Sequence, residues 1–221
     1  MNIEKKYLVL DFGKVLAYPT TGHWFITPML KNIAKDKNIN LETLAKAMAS
    51  YSPILSRKIT TLDEEETMFY DYYVDAFNKS NNKIDDETLH LLAKDITYND
   101  DKYGFYDCVH DELETLSKDY KIIMLSDNWP CSFRIMENAG LDKYFDKLYV
   151  SSVYGVTKKD KLFFDYPIND FNIKDGEAIF VDDNEELLHI ANEKGFDVRL
   201  MNREKEDIKS DYKVITNLLE L

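Results

Sequence analysis

The C-terminal half of the chain alternates short apolar runs with stretches of helical period, and that alternation leaves few folds open. The runs are Lys121 to Leu125 (KIIML), Lys147 to Val150 (KLYV), Ala178 to Val181 (AIFV) and Phe196 to Leu200 (FDVRL). Between them, PCSFRIMENAG ends at Gly140 and NEELLHIANEKG ends at Gly195, with glycine where it commonly follows a helix end. Strands alternating with helices imply a parallel sheet covered on both faces. A further run, Tyr7 to Leu10 (YLVL), brings the expected sheet to at least five strands.

The middle of the chain reads differently. From about Pro19 to Tyr103 there is no strand pattern, and helices are expected over residues 26–36, 41–51, 62–79 and 86–95. The third begins with Thr61, Leu62, Asp63 and Glu64, where Thr61 can cap the helix and Glu64 can reach back to it, a capping box. The aromatic residues of its continuation, ETMFYDYYVDAF, are expected to pack between helices rather than meet a ligand. The fold expected is α/β, a doubly wound, Rossmann-like parallel sheet with a helical insertion after the first strand. Residues 1–18 and 104–221 form the core and residues 19–103 the insertion.

A chain of 221 residues with 44% hydrophobic and 31% charged residues is ordinary for a globular protein, and no apolar run reaches the roughly 20 residues of a spanning helix. Lys5 and Lys6 precede an apolar stretch that Asp11 and Lys14 interrupt, which is not a signal peptide and leads us to expect a cytoplasmic protein. The net charge of −13 argues against nucleic acid or an anionic membrane as a partner. It also repels a phosphorylated substrate unless the site is locally cationic or holds a metal. Cys108 and Cys131 are too few for a zinc cluster or a disulfide framework and are expected to be reduced, packed thiols.

What the apolar runs end in is more informative. Tyr7 to Leu10 is followed by Asp11, Phe12 and Gly13, a triplet that invites a protein-kinase reading. That reading fails, because no Gly-rich loop or Val-Ala-Ile-Lys strand precedes the triplet and no His-Arg-Asp follows it. KIIML ends in Ser126, followed by Asp127 and Asn128; KLYV leads through Ser151 and Ser152 to GVTKKD with Lys158 and Lys159; AIFV ends in Asp182 and Asp183. Singly, Asp11 and the acid pair read as turn residues, Ser126 as a helix cap and Lys158 as a solvated surface charge. Together, at the carboxyl ends of successive parallel strands, they converge on one crevice. They make a phosphoryl-transfer inventory: a carboxylate nucleophile, a hydroxyl and a cation for phosphate oxygens, and further carboxylates for magnesium.

With those residues in view, the sequence resembles the haloacid dehalogenase superfamily, mostly magnesium-dependent phosphatases. LDFGKVL is similar to its first motif, IMLSDN to the second, SSVYGVTKKDKLFF to the third and IFVDDNEELLHIANEKGF to the fourth. The helical block between the first and second motifs stands where the superfamily often inserts a helical cap. The resemblance implies that Asp11 is the nucleophile, forming an aspartyl-phosphate that water hydrolyses. It implies that Ser126 hydrogen-bonds a phosphoryl oxygen and that Lys158 neutralises charge there and orients Asp11. Asp182 and Asp183, with Asp11 and the carbonyl of Gly13, are implied to hold Mg2+. The third motif reads KKDK where Lys-Pro-Asp-Pro is typical, and the loss of both prolines leaves Lys159 as a competitor for the lysine role.

Gly13 is the departure with consequences. Most phosphatases of the superfamily carry there a second Asp that protonates the leaving group, and Gly13 can offer the metal a carbonyl but cannot transfer a proton. Losing general acid catalysis costs about 10²- to 10⁴-fold. Subgroups of the superfamily that resemble this sequence in having Asp-x-Gly include sugar-phosphate phosphatases, so the change does not exclude activity; unless His23 or Asp127 substitutes, substrates whose leaving group needs little protonation, acyl or aryl phosphates, are favoured. The function expected is a magnesium phosphatase acting on a small phosphorylated metabolite, with Ser126, Asp127, Asn128, His23 and Trp24 as candidates to contact substrate. A 2-haloacid dehalogenase-type hydrolase, which needs no metal, and a catalytically impaired regulatory or binding protein are the alternatives.

Overall fold

The structure, a computed structural model, describes residues 4–49 and 57–221. It begins with β1 (Tyr7–Leu10) and β2 (Ala17–Pro19), followed by helices α1 (Pro28–Asp36), α2 (Leu41–Ala49), α3 (Leu62–Lys79) and α4 (Asp86–Tyr98). Then come β3 (Tyr103–Phe105), α5 (Val109–Leu116), β4 (Lys121–Ser126), α6 (Cys131–Asn138), β5 (Lys147–Val150) and α7 (Ser151–Tyr154). The chain closes with α8 (Asp165–Phe171), β6 (Ala178–Asp182), α9 (Glu185–Glu193), β7 (Asp197–Met201) and β8 (Lys213–Ile215).

Six strands form one parallel sheet in the order β5-β4-β1-β6-β7-β8. The inner strands read as unbroken apolar runs because both faces are covered. Leu8 and Leu10 of β1, Ile122 and Met124 of β4, and Ile179 and Val181 of β6 pack into one hydrophobic core. Their alternate neighbours Val9, Ile123, Leu125 and Phe180 pack into a second core across the sheet. The period of two that sends successive side chains to opposite faces thus makes two cores from one set of runs. β8 is a strand the apolar pattern does not announce, having three residues of which only Ile215 is buried.

Helices α1 to α4 fall within the segment read as helical from the sequence. They lie between β2 and β3, a short antiparallel pair with Tyr18 opposite Gly104, which the apolar pattern also leaves unannounced. The expected helix over residues 41–51 is described as far as Ala49, and its last two residues lie outside the described range. The capping box of α3 is formed, with the Glu64 amide donating to the Thr61 hydroxyl at 3.2 Å and the Thr61 amide donating to the Glu64 carboxylate at 3.3 Å. Phe69, Tyr72, Tyr73 and Phe77 of that helix are buried, as the aromatic run implied. They share a core with Leu8, Leu10 and Phe12, so the helical block and one face of the sheet pack together. A polar tie reinforces this contact: the Cys131 amide at the start of α6 donates to the buried Glu65 carboxylate of α3 at 2.8 Å. Cys131 is packed as expected, whereas Cys108 is exposed.

Behind the sheet end, Arg203 and Glu112 form a bidentate ion pair with distances of 2.8 and 2.7 Å, and each side chain is only 3% exposed. The same guanidinium donates to the carbonyl of Val15, four residues after Asp11, and so holds the loop that follows β1. Removing one partner of a buried pair leaves an uncompensated charge, which costs about 3–5 kcal/mol. Arg203→Met is therefore expected to lower Tm by roughly 6–20 °C in a domain of this size, read by thermal denaturation. A shift within 2 °C would show that the pair does not hold this loop.

Candidate active site

β1 ends beside β6 in register, Leu10 level with Val181, and the Asp11 amide donates to the Val181 carbonyl at 3.0 Å. Asp11 is therefore level with Asp182, the last residue of β6. On the other side Leu10 is level with Met124, which puts Ser126 two residues further along β4. These carboxyl ends open on a cleft of about 340 Å³. Asp11, Gly13, Trp24, Ser126, Asp127 and Asn128 line it. So do Lys158, Asp182 and Asp183. The residues singled out at the ends of four separate apolar runs thus meet in one place. His23 does not line this cleft; its ring accepts the Phe25 amide at Nδ1, 3.2 Å away, and burial lowers its pKa.

Lys158 stands at the centre, 2% exposed, with its ammonium 2.8 Å from Asp11 Oδ1 and 2.5 Å from Asp182 Oδ2. The contact to Asp182 is a directed hydrogen bond. That to Asp11 is a close ion contact with poor direction, so Asp11 Oδ1 takes no directed hydrogen bond among the described residues. Burial alone would lower the Lys158 pKa, but the Asp11 and Asp182 carboxylates outweigh it and hold the ammonium above its ordinary range. The backbone explains why this lysine and not its neighbour turns inward. Asp160 closes a turn by accepting the Thr157 amide and hydroxyl at 3.0 and 3.2 Å, and Asp127 accepts the Lys158 amide at 2.9 Å. Lys159 then points outward to an exposed pair with Glu186. Asp160 and Asp127 together shape the loop that carries Lys158.

One carboxylate oxygen from each of Asp11, Asp182 and Asp183 lies within 4.8 Å of the other two. Burial pushes the Asp182 carboxyl above its ordinary range, with Lys158 opposing and Asp11 adding to the shift. Burial raises Asp183 likewise, with Asp11 adding and the nearby Lys14 opposing. Crowded carboxylate oxygens with raised proton affinity are a donor set that suits a hard divalent cation, so these residues fit magnesium. Ser126 is 2% exposed and lines the cleft. The Asn128 amide donates to Ser151 Oγ at 3.1 Å, while its side chain accepts the Trp129 amide at 2.9 Å, so the loop after β4 is fixed from both sides.

The structure adds lining residues that sequence reasoning did not name, among them Lys14, Tyr103, Trp129 and Asn184. Asn184 had a signal, since it follows the acid pair and caps α9 by accepting the Glu186 amide at 3.0 Å. Tyr103 and Trp129 had none, because their place in the cleft comes from packing between the helical block and the sheet.

A parallel sheet with this strand order, with a helical block after its first strand, has the haloacid dehalogenase-like fold that the resemblance implied. No family model matches the chain. Over 121 residues, 48% of its length, it is 33% identical to the D-ribitol-5-phosphate phosphatase of Bacteroides thetaiotaomicron. The match spans 59% of that enzyme, less than two thirds of its length. Among solved structures, it is similar to a HAD phosphatase from Thermococcus onnurineus at 20% identity and a TM-score of 0.63, over 97% of this chain and 95% of that one. The L-2-haloacid dehalogenase of Xanthobacter autotrophicus superposes with a TM-score of 0.69 at 15% identity, over 97% and 95% of the two chains. A HAD-type hydrolase of Bacillus subtilis solved with magnesium bound gives a TM-score of 0.68 at 16% identity, over 99% and 97%.

Proposed function

We propose that the protein is a magnesium-dependent phosphatase of small phosphorylated metabolites, acting through an aspartyl-phosphate at Asp11, with helices α1 to α4 as a cap over the core. The observation that carries this reading is the meeting of Asp11 with Lys158 and with the Asp182-Asp183 pair in one buried cluster. The phosphatase relative supports it.

In this reading an Asp11 oxygen attacks phosphorus, a new O–P bond forms, and the bond to the leaving oxygen breaks with its electron pair. Water then attacks the acyl phosphate, releasing phosphate and restoring the carboxylate. Lys158 holds Asp11 in place and offers its charge to the phosphoryl oxygens. The Ser126 hydroxyl donates to one of those oxygens, and Asp127 fixes the Lys158 backbone. Asp182, Asp183, Asp11 and the Gly13 carbonyl would hold magnesium, which supplies the positive charge that a chain of net charge −13 otherwise lacks around a phosphate.

Purified protein with p-nitrophenyl phosphate, with and without magnesium, tests the reading: metal-dependent release supports it. Hydrolysis without metal, accompanied by halide release from a 2-haloacid, would instead favour the dehalogenase reading suggested by the dehalogenase neighbours. A folded but inert protein would favour a non-catalytic role. Magnesium is also expected to raise Tm in the absence of substrate, by the equivalent of about 2.7 kcal/mol at a hundred times Kd. Asp183→Asn should blunt that rise, and an identical rise in the variant would remove Asp183 from the metal set.

A further inference from the structure

We infer that this site selects phosphate esters with an aromatic leaving group, an aryl oxide, and that Trp24 is the surface on which that group rests; the inference rests on the phosphatase reading above.

The first observation is what occupies the place of a proton donor. A Cβ at Gly13 would stand 3.1 and 3.2 Å from Trp24 Cζ2 and Cη2, and 3.7 Å from Asp11 Oδ2. The space beside the nucleophile at residue 13 is therefore filled by the edge of an indole, which carries no transferable proton there. Neither candidate substitute takes the place beside Asp11 that Trp24 fills. His23 does not line the cleft, and its Nδ1 is taken as an acceptor by the Phe25 amide. Asp127 accepts the Lys158 amide and so serves to hold the lysine loop.

The second observation is the cleft wall. The helical segment and its flanks contribute Trp24, Phe25 and Tyr103 to the lining, and the core loop after β4 contributes Trp129. Their rings are locked together: Trp24 meets Tyr103 edge-on at 5.5 Å between centroids, Tyr103 meets Phe12 at 5.3 Å, and Phe25 meets Trp129 at 5.8 Å. Both lysines of the cleft are already paired, Lys158 with Asp11 and Asp182 and Lys14 with Asp183 at 3.3 Å. No unpaired cation remains among the described lining residues for a carboxylate or second phosphate on the substrate.

The two observations demand the same chemistry. An alkoxide leaving group has a conjugate acid near the pKa of water, about 15.7, and depends on a proton donor. An aryl oxide, with a pKa of about 10, departs as the anion. In the first step the Asp11 oxygen bonds to phosphorus while the aryl oxygen takes the P–O electron pair; its proton comes later, from solvent. An aromatic leaving group also packs against the indole that takes the acid's place.

The test is kcat/KM, at saturating magnesium, for substituted phenyl phosphates of falling leaving-group pKa beside glycerol phosphate and D-ribitol 5-phosphate. The expected result is a rate that climbs steeply as the leaving-group pKa falls, with aryl esters ahead of polyol esters by about 100-fold or more, the scale of a missing general acid. Trp24→Leu should reduce the aryl-to-polyol ratio about tenfold, chiefly through KM. With the non-turning Asp11→Asn variant, phenyl phosphate should bind more tightly than glycerol phosphate in calorimetry. Polyol esters hydrolysed as fast as aryl esters, or a flat dependence on leaving-group pKa, would overturn the inference and leave the phosphatase standing. Release from no ester at all, or release indifferent to magnesium and to Asp11, would overturn both. If Trp24→Leu fails to fold, the wild-type series alone decides.

Discussion

Asp11→Asn is expected to keep the fold and lose hydrolysis by on the order of 10⁴-fold or more, the scale on which a covalent nucleophile matters. The substitution conserves shape and removes one negative charge. Lys158 keeps its 2.5 Å contact with Asp182, and the Asp11 amide keeps its bond to the Val181 carbonyl. A circular dichroism spectrum and a Tm close to wild type should therefore accompany the loss of metal-dependent p-nitrophenol release. Wild-type rates in the variant would mean that the carboxylate beside Lys158 is a structural acid and that the reaction runs elsewhere.

Lys158→Met is the second large expected effect, and it should fall on stability and turnover together. The ammonium is the counter-charge between two buried carboxylates, Asp182 at 1% and Asp11 at 11% side-chain exposure. Removing it leaves both carboxylates crowded without compensation, a loss of about 3–5 kcal/mol in the metal-free protein. Turnover should drop by about 10²- to 10³-fold or more, the scale of one electrostatic donor to the developing charge. Lys159→Met is the matched control. Its ammonium pairs with Glu186 at 62% and 59% side-chain exposure, where an ion pair contributes about 0–1 kcal/mol. Denaturation and steady-state rates on the two variants separate the roles. A silent Lys158 variant beside a damaged Lys159 variant would reverse the assignment.

The difference between these neighbouring lysines shows where sequence reasoning reached its limit. The apolar runs were legible because strands buried on both faces need apolar residues at every position. The acids and hydroxyl at their ends were legible because a strand end is a fixed place in a parallel sheet. Which of two adjacent lysines turns inward depends on the Thr157-Asp160 turn and on Asp127 holding the Lys158 amide, contacts that no spacing encodes. The strands β2, β3 and β8 escaped notice for another reason. Each has three residues, too few to show a period, and their hydrogen-bond partners lie elsewhere in the chain.

Trp24 makes the same point about function. Its nearness to Asp11 in sequence marked it as a candidate, while its position over Gly13 follows from the ring contact with Tyr103, almost eighty residues on. Gly13 reads from sequence as a missing acid, and in three dimensions as the floor on which an indole rests. The chemistry assigned to the cleft follows from that change.

Whether Asp11 carries the phosphoryl group is read by acid-quenching the protein during magnesium-supported turnover of an aryl phosphate and mapping its peptides by mass spectrometry. A phosphoryl adduct is expected on the peptide containing Asp11, absent without magnesium and absent in Asp11→Asn. An adduct on any other residue, or undiminished turnover by Asp11→Asn, would contradict it.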